Sequence, residues 1–220
     1  KSELKTTSNN WIQLFDGKTF SGWHQYNKSE MSPAWTIEEG AMKFSPEGES
    51  YGRGHNIVTD NEYTNFELSI EWKISEGGNS GIFWGVKEDP KYFEAYQTGP
   101  EIQVLDNERH PDAKENPKYH QAGALYDLVQ PSKDVCNPAG EWNHVILMIN
   151  HVLNKGSVKL NGSEIATFPV NGDPWKQLVS GSKFDSETFI DFGRFKTGKI
   201  GLQDHGDVVS YRNIKIRQIE

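Results

Sequence analysis

An all-β fold, a two-sheet antiparallel sandwich of jelly-roll type, is predicted by three features of this 220-residue sequence. Short apolar runs alternate with turn signals along the chain, helix-period patterns are scarce, and one run, Phe66 to Ile74, alternates without a break. In that run Phe66, Leu68, Ile70, Trp72 and Ile74 face one way and Glu67, Ser69, Glu71 and Lys73 the other, as in a strand with one dry face. Composition agrees, with aromatics at 12% and 21 glycines, a mixture suited to short strands and tight turns. The length fits one domain over residues 11–220, preceded by a polar lead-in over 1–10 that is expected to be flexible.

The elements follow in order. Trp11 to Phe15 reads as a strand, Asp16-Gly17-Lys18 and Ser21-Gly22-Trp23 as turns, and Trp35–Glu38 with Ala41–Phe44 as a hairpin about Glu39-Gly40. Residues 45–56, with Pro46 and three glycines, form a surface loop before Ile57–Thr59. Gly77-Gly78-Asn79-Ser80-Gly81 leads into the strand Ile82–Val86, and Tyr96 to Asp106 reads as the next strand, its neighbour on the floor of a cleft. A long polar loop, 107–119, exits through His120 toward Tyr126. His144–Asn150, then Ser157–Leu160 and Glu164–Phe168 about Asn161-Gly162, are strands, and 175–192 holds a short helix at most. Ile200 to Gly206 is a strand with a polar end, and Val208 to Ile219 closes the chain as a strand pair or one bent strand.

Bulk properties narrow the partner. A formal charge of −8, with no clustered Lys and Arg, argues against nucleic acid or an anionic membrane surface. Cys136 is alone, so neither an intrachain disulfide nor a cysteine-based zinc site can form. No apolar run has the roughly 18 residues of a membrane span. The start at Lys1 without Met fits a processed chain.

The chemistry centres on Tyr96 to Asp106. Ile102 and Val104 share one face, Glu101 and Gln103 the other, and Asp106 follows the strand, so acids lie where a doubly buried strand would carry none. Glu71 also lies on a non-core face, and Gln203 and His205 share one parity. Carboxylates beside an imidazole in a cleft are the material of general acid–base chemistry, although a solvated outer sheet face has the same pattern. His55, His120 and His205 with a carboxylate leave a divalent metal open, but no local ligand spacing supports one, so no cofactor is assigned. No Gly-x-Ser-x-Gly elbow supports a serine hydrolase. Trp23, Trp84 and Tyr126 are candidate sugar-stacking platforms.

Several short motifs occur in a fixed order: Leu14-Phe15-Asp16-Gly17-Lys18 with Ser21-Gly22-Trp23, Gly77-Gly78-Asn79-Ser80-Gly81-Ile82, Glu101 to Asp106, Gly123-Ala124-Leu125-Tyr126, Pro138 to Asn143, Leu160-Asn161-Gly162, and Gly201-Leu202-Gln203-Asp204-His205-Gly206 with Tyr211 to Ile214. Together they resemble the 3-keto-disaccharide hydrolase domain family. The resemblance implies a concanavalin A-like jelly roll acting on glycosides already oxidised to a ketone at C3, with an oxidised sugar or glycoside as partner and an exported, periplasmic or cell-surface location. Carried over by motif, the site residues are Asn79, Ser80, Glu101, Gln103, Asp106, Tyr126, Gln203 and His205; Glu71, Trp84 and His120 join them as candidate substrate contacts. Glu101 and His205 are the expected acid–base pair, Asp106 is the third residue of the expected catalytic set and next in line for that role, and Asn79 and Gln103 are the holders of substrate oxygens. A non-catalytic, lectin-like carbohydrate-binding module shares these features and is the alternative.

Overall fold

The computed structural model describes residues 10–46 and 54–220. Most of the expected lead-in, and part of the expected 45–56 loop, therefore lie outside the described residues. Among the described residues there are thirteen strands: β1 Ile12–Gln13, β2 Trp23–Gln25, β3 Trp35–Glu38, β4 Ala41–Phe44, β5 Ile57–Thr59, β6 Phe66–Ile74, β7 Asn79–Val86, β8 Glu101–Leu105, β9 Asn143–Asn150, β10 Lys155–Leu160, β11 Ser163–Phe168, β12 Lys199–Leu202 and β13 Val209–Gln218. A single α-helix among those residues, α1, spans Gly172–Val179.

The strands form two antiparallel sheets. The larger runs β11-β10-β9-β6-β13-β4-β3, with β1 added on β13, and the smaller runs β2-β5-β12-β7-β8. Alternation on β6 buries Phe66, Leu68, Ile70, Trp72 and Ile74 against the smaller sheet's inward residues, among them Ile57, Ile82, Ile102, Val104 and Leu202. Each such side chain contributes roughly 1.5–3 kcal/mol by leaving water, which fixes the register of both sheets. A one-residue slip would turn every apolar side chain outward.

Two expectations are corrected by backbone chemistry. The run from Tyr96 to Asp106 is not one strand: Ala95–Gln97 is a 3₁₀ turn and β8 starts only at Glu101. Pro100 has no N–H to give to a ladder and Gly99 donates back to the Ala95 carbonyl at 2.9 Å, so the strand starts after them. The first strand shrinks to Ile12–Gln13, because Asp16 immediately folds the chain into a turn by accepting from the amides of Lys18 and Thr19 at 2.8 and 2.7 Å. At the other end, β13 is one bent strand rather than a pair, its register shifting between Arg212 and Lys215 where Asn213 takes a φ of 51°.

One polar contact crosses the core. Ser80, on the inward face of β7, donates to the Gln203 carbonyl at 2.7 Å and lies 2.8 Å from the Tyr211 hydroxyl of the opposite sheet. The Tyr211 hydroxyl also reaches the Gly81 carbonyl at 3.3 Å.

Candidate active site

The outward face of the smaller sheet carries a cavity of about 260 Å³, and β7, β8 and the end of β12 supply its floor. Glu101 and Gln103 project into it from β8, Asn79 from the start of β7, and Gln203, Asp204 and His205 from the turn after β12. The segment after Gly123 pairs with the free edge of β8: Gln103 N–H donates to the Ala124 carbonyl at 3.0 Å and Tyr126 N–H to the Glu101 carbonyl at 2.9 Å, which sets the Tyr126 ring in the cavity wall. Asn56, Glu94, Tyr96, Lys183 and Phe184 complete the lining.

Space for the Glu101 carboxyl comes from a glycine on the neighbouring strand. A Cβ at Gly81 would lie 2.0 Å from Glu101 Oε1 and 2.8 Å from its Cγ, so no larger residue fits there with the acid in place. The carboxyl rests on bare β7 backbone, only 6% exposed. Burial pushes its pKa up to about 8, against a smaller downward pull from the Lys183 ammonium. Lys183 keeps much of its stem in solvent but lays its ammonium 4.0 Å from the Tyr126 ring centroid. That partial burial lowers its pKa, and Glu101 opposes the fall. Tyr126 is itself held well above the usual phenol range, by burial first and the Glu101 charge second.

The amides of the floor present acceptors without donors. Gln103 Nε2 donates to the His120 carbonyl at 3.2 Å while its Oε1 is buried without a partner, and Gln203 Oε1 is likewise unpartnered. Buried carbonyl-type oxygens normally find a donor, so two unpartnered ones on residues that line one polar cavity are exceptions to that rule. Asp204 braces the turn, with Oδ2 accepting from the His55 amide at 3.3 Å, Oδ1 from the Gly206 amide at 2.9 Å, and its own amide donating to Asn56 Oδ1 at 2.8 Å.

Of the residues expected from sequence, the structure gathers Asn79, Glu101, Gln103, Tyr126, Gln203 and His205 into this one cavity. Five others lie elsewhere. Ser80 and Trp84 face the core, 1% and 4% exposed, where Trp84 stacks on Phe168 at 5.7 Å; strand alternation makes inward residues of both. Asp106, past the end of β8, accepts from the amides of Gly77, Glu108 and Arg109. Burial raises its pKa, but those bonds and Arg109 outweigh burial and hold it below the ordinary carboxylate value, so it anchors the glycine loop. Glu71 lies on the far face of the larger sheet, its Oε2 2.6 Å from Arg212 Nε. His120 stacks behind Tyr126 at 4.5 Å, with its ring nitrogens 2.8 Å from Glu115 and 3.0 Å from Asp127. Trp23, a candidate stacking platform, is a core residue at 4% exposure. Among the described residues no cluster of three His, Cys, Asp or Glu is arranged to hold a metal ion, and no helix is long and apolar enough to cross a membrane.

Sequence reasoning missed Asn56, Glu94, Tyr96, Lys183, Phe184 and Asp204. Asp204 carried a signal, since it lies between Gln203 and His205 in the motif that placed both. Lys183 carried none: it sits in an aperiodic stretch tied to the cavity wall by its own amide, which donates to Asp127 Oδ2 at 2.9 Å, and by Phe184, edge-on to Tyr126 at 6.4 Å.

The molecule is a two-sheet sandwich with a polar, carboxyl-bearing cavity on one outward face, and the comparisons place it among carbohydrate-active proteins. Residues 10–217 match the family described as the 3-keto-alpha-glucoside-1,2-lyase-like domain, and the chain belongs to that family. A 3-keto-disaccharide hydrolase of Bacteroides thetaiotaomicron is 35% identical over 99% of this chain and 81% of its own length. A crystal structure designated a candidate glycosyl hydrolase, from Parabacteroides distasonis, superposes with a TM-score of 0.85 at 32% identity, covering 96% of this chain and 94% of the other. A non-specific endo-β-1,3(4)-glucanase, at 10% identity and a TM-score of 0.54 over 99% of this chain and 95% of its own, shares the fold alone. The protein is thus a glycosidase-type, carbohydrate-active enzyme.

Proposed function

We propose that the substrate is a 3-keto-glycoside and that cleavage runs through elimination across C1 and C2. The observation that carries this reading is the state of Glu101: a carboxyl buried in a polar cavity with a pKa of about 8 is protonated at neutral pH, poised to give a proton rather than to act as an anionic nucleophile. A protonated carboxyl serves ordinary glycosidases as well; what elimination adds is removal of the C2 proton, which is not acidic in an ordinary glycoside. A C3 ketone makes that proton removable.

In the proposed sequence His205, in the cavity wall, takes the C2 proton and the C–H electron pair moves onto the C3 oxygen as an enolate. When the C3 carbonyl re-forms, the C1–O bond breaks, a C1–C2 double bond forms, and the departing oxygen takes the proton of Glu101. Water then adds at C1. The enolate needs donors and a positive charge nearby; the Asn79 side chain and the Lys183 ammonium are the groups at hand. The Gln103 and Gln203 side chains, which line the cavity, are the groups that hold the remaining sugar hydroxyls. The named activity of the Bacteroides relative supports the same substrate class.

The test is turnover of a 3-keto-glucoside beside the same glucoside without the ketone. Release of the leaving group from the ketone alone is expected. Binding of the ketone without release through long incubation, with or without divalent cations, would leave the protein a carbohydrate-binding module instead.

A further inference from the structure

The candidate active site is too small for a whole glycoside. At about 260 Å³ it lies below the roughly 300–1,000 Å³ of pockets that enclose drug-sized ligands, room for one sugar ring. The leaving group must lie outside it. Two grooves of about 700 Å³ each adjoin the cavity, each across a shared wall. Phe184 lines both the cavity and one groove; Asn56 lines both the cavity and the other.

The grooves differ in what their rings are doing. Beside Phe184, the aromatic residues are occupied with one another: Trp175 stacks on Phe192 at 5.8 Å and Phe192 on Phe184 at 3.9 Å, and all three are buried, at 6%, 5% and 4% exposure. Beside Asn56, Phe93 is 82% exposed and has no ring contact among those of the described residues. Its neighbour Glu94 projects into the cavity, where Oε2 accepts from Asn56 Nδ2 at 3.1 Å. Lys28 and Ser29 line the same groove, over a wall where the Tyr26 hydroxyl and the Asn27 amide donate to the Tyr92 carbonyl at 3.3 and 2.9 Å. An exposed aromatic ring in a groove also lined by polar side chains matches a sugar ring, which offers an apolar C–H face and a polar edge.

We propose, on the basis of the 3-keto-glycoside reading, that this Asn56-side groove is the leaving-group subsite, that it takes a second pyranose, and that Phe93 is its stacking platform and a determinant of specificity. The Asn56–Glu94 pair then lies at the junction of the two rings, beside the glycosidic oxygen.

The test compares kcat/KM for a 3-keto-disaccharide with that for a methyl 3-keto-glucoside, whose leaving group is too small to reach the groove. Phe93→Ala should lower the disaccharide-to-methyl ratio about three- to tenfold, the worth of one stacking contact, mainly through KM, and Phe93→Trp should preserve it. Ile190→Ser, on the Phe184-side groove, should leave the ratio unmoved. A ratio unchanged in Phe93→Ala, or lowered in Ile190→Ser instead, overturns the assignment. Failure of the unaltered protein to turn over either ketone overturns the function itself, and the subsite with it.

Discussion

Glu71 and Glu101 sit on outward faces of the two sheets, each two residues from another polar residue on its own strand, yet only one is a chemical group in waiting. Glu71 faces Arg212 across the β6–β13 register. Burial raises its pKa, but the bonds from Arg212 and Asn213 outweigh burial and leave it lowered, an anion at neutral pH. Glu101 has Phe83 opposite and Gly81 diagonal to it on β7, neither of which can donate from a side chain, so burial is opposed only by the weaker pull of the Lys183 charge and the pKa of the acid rises. The strand pattern is the same in both. What differs is the residue on the next strand, and that decides whether an outer-face carboxylate is a surface ion pair or an acid with a raised pKa.

The contrast can be broken most severely at Glu101. Glu101→Gln should keep the fold and lose about 10²–10⁴-fold in kcat on a 3-keto-glycoside, the usual worth of a general acid, whereas Glu71→Gln should turn over substrate normally. Equal activity in the two variants would end the distinction. Gly81→Ala attacks the same group without touching its chemistry. The added methyl would displace the carboxyl, so turnover should fall tenfold or more at little cost to thermal stability, read by kinetics beside a melting curve.

The pKa of about 8 makes two further measurements sharp. If Glu101 is the proton donor, kcat/KM falls as pH rises through 8. Removing the Lys183 charge takes away its downward pull, so Lys183→Met should shift that alkaline limb to higher pH; a shift to lower pH would contradict the arrangement. Stability carries the same sign. Because the folded pKa exceeds the unfolded value of 4.5, the folded state holds the extra proton, and stability falls as pH rises between the two values, by at most about 1.4 kcal/mol per pH unit for this group. Urea unfolding of Glu101→Gln should lack that slope. The smallest effect is at Glu71, a partly exposed pair whose loss in Glu71→Gln should cost no more than about 1 kcal/mol by the same unfolding measurement.

Much of this was legible in the alternation alone. It separates Ile102 and Val104 from Glu101 and Gln103, and pairs β7 with β8 on the cleft floor, because a two-residue period maps directly onto two faces. The same rule, applied to β7, places Ser80 and Trp84 inward with Ile82; their polar or aromatic type and their motif membership had argued the other way. Asp106 shows the limit of residue type as a guide: its carboxylate oxygens are taken by backbone amides, a partnership no spacing announces. Glu94 and Lys183 reach the cavity from a 3₁₀ turn and from an aperiodic stretch after α1, so long-range packing alone brings them to the site.

The contact between Ser80 and Tyr211 has a mechanical meaning. A dry core of apolar side chains fixes the separation of two sheets only within the tolerance of van der Waals packing, whereas a phenol that touches Ser80 and the Gly81 carbonyl together works as a strut of fixed length. It stands on the larger sheet and ends at Gly81, whose missing side chain leaves room for the Glu101 carboxyl. The height of the reaction floor is thereby gauged from the opposite side of the molecule, and a change in the spacing of the sheets would be transmitted to the Glu101 carboxyl through a single rigid ring.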